Sequence, residues 1–226
     1  KEGFKNSYLK INLKGNIKYY VLSVVVPLIY VIATMCISFM TYSKEFTLSE
    51  MVDFGNIPIT IGGTLLSLSA IFYFFIPFFG EEFGWRAYLT PKFTELMPEP
   101  VAVFVSGIIW GLWHAPLTCV GHNFGVDYPF FPFLGILMMC IMCASMSSFL
   151  TLLTKRTGSV FPAALAHGAN NQLTGVIISF LATEKFLERF LSEHNIIVIE
   201  ILPIVIVGII SYIILIMDYM KKKKEA

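Results

Sequence analysis

The sequence predicts an all-α membrane protein, a polytopic bundle of about six transmembrane helices with both ends in the cytoplasm. Of its 226 residues, 56% are hydrophobic and only 14% are charged, and the mean hydropathy is +0.74. Soluble domains carry roughly 25% charged residues, so this composition excludes an ordinary soluble domain. Six apolar runs, each near the length that crosses a bilayer, account for most of the chain.

The six runs predict helices at residues 20–40, 57–90, 101–120, 130–154, 160–182 and 196–220. We place a helix stop at Thr90 and Pro91, and residues 183–195 have the pattern of a short amphipathic surface segment. The chain then divides into a basic arm (1–19), one membrane domain (20–220) and a basic tail (221–226). Because residue 1 is a lysine, we expect the natural chain to begin upstream.

The basic residues indicate the orientation in the membrane. One set of alternate loops, residues 1–19, 91–100, 155–159 and 221–226, carries 12 Lys and Arg residues, whereas the other set carries 3. Arg86 is not counted, since it lies within the second run. Cytoplasmic loops are enriched in Lys and Arg, so both ends are predicted to be cytoplasmic.

Composition also limits the partners and the compartment. The net charge of +1 says nothing about partners, because the charges are sorted by position along the chain. We expect contact with the lipid bilayer but with no nucleic acid. The four cysteines lie in apolar segments without ligand spacing, which favours small buried side chains over disulfides or a metal site. The Lys-, Ile- and Phe-rich composition and the short loops favour a bacterial plasma-membrane protein with multiple spans.

The second run ends in an unusual cluster of charge. Glu82 and Arg86 are four residues apart, share a helix face and can form an ion pair that reduces the penalty of burial. Glu81 points elsewhere and, lacking a direct cation, suits general-base chemistry on a water molecule. A charged packing network at the cytoplasmic lip is the alternative. Gly80 and Gly84 form a small-xxx-small pair that predicts close approach of another backbone.

The third run contributes His114, the only strongly polar side chain in that run. Gly107, Gly111 and Ala115 form a small-residue face beside it. A single histidine here fits an interhelical hydrogen bond as well as a catalytic role.

The fifth run carries a dense polar patch in its middle. His167 and Asn171 are four residues apart, so they share a face and can jointly donate hydrogen bonds to one oxyanion. Asn170 and Gln172 point to other faces and are expected to hold helices together. Four hydrogen-bonding side chains so close together weaken a purely structural interpretation.

A water polarised by Glu and His, with His and Asn facing the developing negative charge, can hydrolyse an amide without a nucleophilic side chain. Glu81, His114 and His167 could alternatively bind zinc, and the residues alone leave both possibilities open. No cysteine lies within a motif, and no Gly-x-Ser-x-Gly signature occurs.

Taken in order, the motifs resemble the signature of the CPBP or Abi family, intramembrane proteases related to the eukaryotic CAAX prenyl endopeptidase. The residues that carry the resemblance are Glu81, Glu82, Arg86, Trp110, His114, His167 and Asn171. Trp110 is a departure, because the family usually has Phe there, and it should alter packing near His114.

The resemblance implies that Glu81 activates the attacking water, His114 helps to hold it, and His167 with Asn171 stabilises the oxyanion. Glu82 and Arg86 would support the site. Family members are often labelled metalloproteases, so zinc is carried as an open cofactor prediction. The implied substrate is a membrane-associated protein or peptide.

Two other functions remain compatible with the sequence. A non-proteolytic membrane scaffold or bacteriocin-immunity protein would act by binding a partner. A proton-coupled transporter uses similar buried ionisable groups, although the sequence lacks inverted repeats. At 1.5 Å per residue, Glu81 lies about 13 Å from Thr90, whereas His114 lies about 20 Å from residue 101. This difference in depth indicates that the third helix is tilted, that it begins outside the membrane surface, or that the predicted helix boundaries are wrong by a turn.

Overall fold

The computed structural model describes residues 8–73, 75–192 and 196–225. The α-helices are α1 (Ile17–Tyr42), α2 (Leu48–Met51), α3 (Ile57–Tyr73), α4 (Phe75–Glu82), α5 (Thr90–Thr94), α6 (Glu99–Trp113), α7 (Ala115–Thr118), α8 (Phe133–Thr157), α9 (Phe161–Leu181), α10 (Glu184–Ser192) and α11 (Ile196–Glu225). A 3₁₀ turn covers Phe54–Asn56 and a π-helical turn covers Phe83–Leu89. Within these described ranges no β-strand forms, and one isolated bridge joins Val52 to Ala182. The all-α prediction is confirmed.

Three described helices are long and apolar enough to cross a membrane, namely α1, α8 and the Ile201–Glu225 part of α11. Helix α6 is apolar but only 15 residues long. Helix α9 has sufficient length, but its polar middle lowers its hydropathy. The structure therefore supports a membrane protein, while six crossings and cytoplasmic ends stay predictions.

Helix α8 lies at the centre of the bundle, between α6 and α11, and α9 packs against α1, α3 and α4. Small residues allow the closest approach. A Cβ built on Gly107 would lie 2.5 Å from Ala144 Cα, and one on Gly111 would lie 2.4 Å from Cys140 Cα. The small-residue face beside His114 therefore packs closely against α8.

The prediction that another backbone closely approaches Gly80 and Gly84 is wrong. No described atom lies within 4 Å of a Cβ built on either glycine, and both residues are exposed. The spacing shows which residues share a helix face, but it does not show which face another helix covers. Here the face that carries the two glycines remains open.

Two predicted helix ends also differ from the structure. The helix does not stop at Thr90 and Pro91 but continues as α5. Pro91 lies in the first turn of α5, where a missing N–H is tolerated. The third run ends at Trp113 rather than at residue 120. Pro116 lacks the N–H that would bond the carbonyl of Leu112, so the helix breaks at His114 before the short α7.

The predicted amphipathic surface segment is present as α10. Phe186 and Phe190 are buried against Tyr42, Met51 and neighbouring apolar residues at one end of the bundle. Residues 193–195 of the predicted segment lie outside the described ranges.

Contacts at the other end of the bundle join segments that were predicted to be cytoplasmic. Lys155 forms an ion pair with Glu99 at 2.5 Å, and Arg156 forms one with Asp218 at 2.8 Å. The Val160 amide donates to the Tyr8 carbonyl. These contacts link predicted loop residues to one another and to the ends of neighbouring helices, while the orientation in the membrane stays a prediction.

Candidate active site

The three sequence motifs converge on the buried indole of Trp110. Its ring centroid lies 5.2 Å from that of His167 and 5.9 Å from that of His114. The Arg86 guanidinium carbon lies 4.2 Å from the ring centroid, and the indole N–H donates to Glu81 Oε2 at 3.2 Å. One side chain therefore contacts residues from all three motifs.

Glu82 is fully buried and has two charged or polar neighbours. Arg86 Nη1 donates to Glu82 Oε1 at 3.2 Å, and Arg86 Nε lies 3.2 Å from Glu82 Oε2. The predicted ion pair is present. His167 Nδ1 also lies 2.9 Å from Glu82 Oε1, a contact that the sequence did not predict. Glu82 thus links the first motif to the third.

Arg86 belongs to the π-helical turn, in which the Thr90 N–H bonds the Trp85 carbonyl five residues earlier. A π turn holds more residues than an α turn, so residues four apart lie more nearly in line along its axis. Such turns often occur at functional sites. Here the turn brings Arg86 over both Glu82 and Trp110.

The position of His114 follows from the helix break before Pro116. Its Nδ1 lies 2.9 Å from the Trp110 carbonyl oxygen, which can only accept a hydrogen bond. Nδ1 must therefore carry the proton, and Nε2 is the acceptor of the neutral ring. The side chain is buried, with the whole residue 8% exposed.

The same reasoning assigns the proton on His167. Its Nδ1 faces the Glu82 carboxylate, so Nδ1–H donates and Nε2 is the second ring nitrogen available for chemistry. His167 is 4% exposed. The depths counted from the helix ends differ for Glu81 and His114, yet both side chains contact Trp110.

His114, His167 and Asn171 line a cavity of about 400 Å³. Its apolar wall consists of Met139, Met142, Met146, Ile201 and Ile204. Glu81 does not belong to the lining; it is half-buried and bonds the lining residue Trp110. Glu81 also interacts electrostatically with His114. The structure thus brings three predicted residues to the cavity and places the fourth against its wall.

Asn171 is exposed at the cavity and receives a hydrogen bond from its neighbour. Asn170 Nδ2 donates to Asn171 Oδ1 at 2.9 Å, and the Tyr30 hydroxyl donates to Asn170 Oδ1 at 2.5 Å. The prediction that Asn170 holds helices together is confirmed, since Tyr30 belongs to α1. Asn170 lines the same cavity as His167 and Asn171, so the prediction that it points away from them is wrong.

Sequence reasoning missed two polar residues of the loop after α7. His122 and Asn123 line the cavity, and the rings of His122 and His114 stack with centroids 6.1 Å apart and planes 4° apart. The available signal was a pair of polar side chains directly after the third apolar run. It predicts a polar loop, but it does not predict that the loop folds back over His114.

The described side chains do not complete a zinc site. In His114 and His167, Nδ1 is hydrogen-bonded and Nε2 is available. This arrangement is typical of histidines that ligate a metal. However, no group of three His, Cys, Asp or Glu side chains in the described ranges lies close enough together to hold a metal ion. Zinc therefore stays a prediction.

Comparison with protein families gives a match over residues 63–173 to the Rce1-like family, described as type II CAAX prenyl endopeptidase Rce1-like. The match spans all three motifs and confirms the resemblance seen in the sequence. It does not include α1 or α11, which form other parts of the cavity wall. No curated protein and no solved structure matches the chain significantly.

Proposed function

We propose that this chain, whose residues 63–173 belong to the Rce1-like family, is an intramembrane endopeptidase that uses a water activated by Glu81. Membership of the family implies protease activity. The observation that supports this mechanism best is the convergence of Glu81, His114 and His167 on Trp110. A general base, a second water acceptor and an oxyanion donor are thereby gathered around one ring.

The first step is attack by water. The Trp110 N–H occupies Glu81 Oε2 and leaves Oε1 to accept a water proton. His114 Nε2 accepts the second hydrogen of the same water and orients its lone pair. As the water oxygen bonds to the scissile carbonyl carbon, its proton moves to Glu81.

The carbonyl oxygen then carries negative charge, which the Asn171 amide N–H and the His167 Nε2–H stabilise. His167 can donate from Nε2 only in its doubly protonated form, because Nδ1–H faces Glu82. This form balances the buried charges, since Glu81 and Glu82 are negative while Arg86 and His167 are positive. The C–N bond breaks when Glu81 passes its proton to the leaving amine, giving a new carboxyl terminus and a free amine.

The substrate class follows from the family and from the cavity. The matching family is described as type II CAAX prenyl endopeptidase Rce1-like, so we propose a membrane-associated protein or peptide, of CAAX type, as the substrate. The methionine and isoleucine wall is suited to an apolar group. The protein would act as a multi-pass component of a bacterial cell membrane.

The test compares the peptides released by cells that carry the parent protein, Glu81→Gln or Glu95→Gln. Glu95 is an exposed glutamate paired with Lys92, so it controls for the loss of a carboxylate. We expect the parent and Glu95→Gln to release the same peptides and Glu81→Gln to lose at least one. Identical peptides in all three strains would reject proteolysis, and partner binding that survives Glu81→Gln would then favour a scaffold or immunity protein.

Zinc is tested separately by metal analysis of the purified protein. If His114 and His167 ligate zinc, we expect one zinc ion per protein chain. We also expect the zinc to be lost in His167→Ala. Full activity after complete removal of metal would instead refute the zinc prediction.

A further inference from the structure

Hydrogen bonds connect α1 to the oxyanion donor on α9. The Tyr30 hydroxyl donates to Asn170 Oδ1 at 2.5 Å, and Asn170 Nδ2 donates to Asn171 Oδ1 at 2.9 Å. Tyr30 is buried, with 6% of its surface exposed, and all three residues line the cavity.

In the structure these bonds accompany one orientation of each amide. A side-chain amide has an oxygen end that only accepts and a nitrogen end that only donates, and the two ends have nearly the same shape. The bond from Asn170 occupies the Asn171 oxygen and leaves the Asn171 nitrogen available to an oxyanion. The opposite orientation would present a carbonyl oxygen to the developing negative charge.

We propose that Tyr30 and Asn170 are positioning residues that orient the Asn171 amide for catalysis, an inference that rests on the proposed function. Tyr30 fixes Asn170, because its hydroxyl donates to the Asn170 oxygen and turns the Asn170 nitrogen toward Asn171. Tyr30 lies outside residues 63–173, so the family match does not include it.

A purely structural role predicts a different result from substitution. In that case the Tyr30–Asn170 bond would only tie α1 to α9, and any change that keeps this bond would keep activity. Asn170→Asp separates the two roles. A carboxylate at residue 170 still accepts from the Tyr30 hydroxyl, but it has no N–H to donate to Asn171.

The substrate is the peptide that parent cells release and Glu81→Gln cells do not, synthesised with a fluorophore and a quencher. The experiment measures kcat and KM of the purified protein for this substrate. Tyr30→Phe and Asn170→Asp should each lower kcat by roughly tenfold with little change in KM, as expected for loss of a buried hydrogen bond. Tyr20→Phe is the matched control. Its hydroxyl donates to the Ile11 carbonyl, away from the cavity, so kcat should not change.

A double-mutant comparison completes the test. In an Asn171→Ala background, Tyr30→Phe and Asn170→Asp should lower kcat no further, because no amide remains to be oriented. Normal kcat in Asn170→Asp, or the same loss with and without Asn171, would overturn the inference and leave proteolysis intact. If no peptide depends on Glu81, the proposed function itself fails and the inference fails with it. If Asn171→Ala is fully active, proteolysis stands, but the oxyanion role of Asn171 and this inference both fail.

Discussion

The substitution Glu82→Gln tests whether the buried charges hold the site together. Glu82 is fully buried between Arg86 and His167, at 3.2 Å and 2.9 Å. Glutamine keeps the size and one acceptor oxygen but removes the negative charge. Arg86 would then be a buried cation that stacks on the face of Trp110 but lacks its carboxylate partner.

Removal of one partner from a buried ion pair costs about 3–5 kcal/mol, because the other charge stays buried without compensation. We expect the lower end, about 3 kcal/mol, since the glutamine oxygen can still accept from Arg86 or His167. The pair is also incompletely bonded: Arg86 Nη2 has no hydrogen-bond partner among the described atoms. Glu82→Gln/Arg86→Met also removes the buried guanidinium that Glu82→Gln leaves without its carboxylate, so the double variant should recover about 2 kcal/mol.

The free energy of unfolding is measured by titrating the purified protein from mild detergent into SDS. Glu95→Gln, which removes a carboxylate from an exposed pair, should change it by less than about 1 kcal/mol. The reasoning is refuted if Glu82→Gln behaves like Glu95→Gln, or if the double variant is less stable than Glu82→Gln alone.

Two further predictions concern packing and a helix cap. Gly107→Ala should destabilise the protein by about 1–3 kcal/mol, because the new Cβ would lie 2.5 Å from the backbone of Ala144. Gly80→Ala should instead stabilise its helix by up to about 1 kcal/mol. Equal effects of the two substitutions in the SDS titration would contradict the packing of α6 on α8. Hydrogen bonds from the Thr47 backbone N–H and hydroxyl hold the pKa of Glu50 below its ordinary value of 4.5. The cap should therefore be complete above pH 4.5 and be lost as the pH falls through the lower pKa of the folded state. Hydrogen exchange in α2 measures this loss, and protection that rises on acidification would contradict it.

Local spacing was sufficient to predict some contacts. Glu82 and Arg86 are four residues apart on one helix, so their pairing depends on helix geometry alone. The helices themselves follow from apolar runs, although the second run continues as a helix past Pro91 and the third ends before Pro116 rather than at residue 120.

Contacts between distant segments could not be predicted from the sequence. Nothing in the spacing shows that Trp110 would donate to Glu81, that Glu82 would bond His167, or that α1 would bring Tyr30 to the cavity. Each of these contacts depends on which helix faces pack together. A single sequence shows which residues share a face but does not show which partner covers that face.

The most direct test of the central claim is the kcat/KM of purified parent and Glu81→Gln for the peptide that cells release in a Glu81-dependent manner. A general base contributes about 10²–10⁴-fold, so Glu81→Gln should lower kcat/KM by at least about 100-fold while Glu95→Gln retains the parent value. A Glu81→Gln protein that is folded and cleaves this peptide within a few-fold of the parent would contradict hydrolysis by a Glu81-activated water.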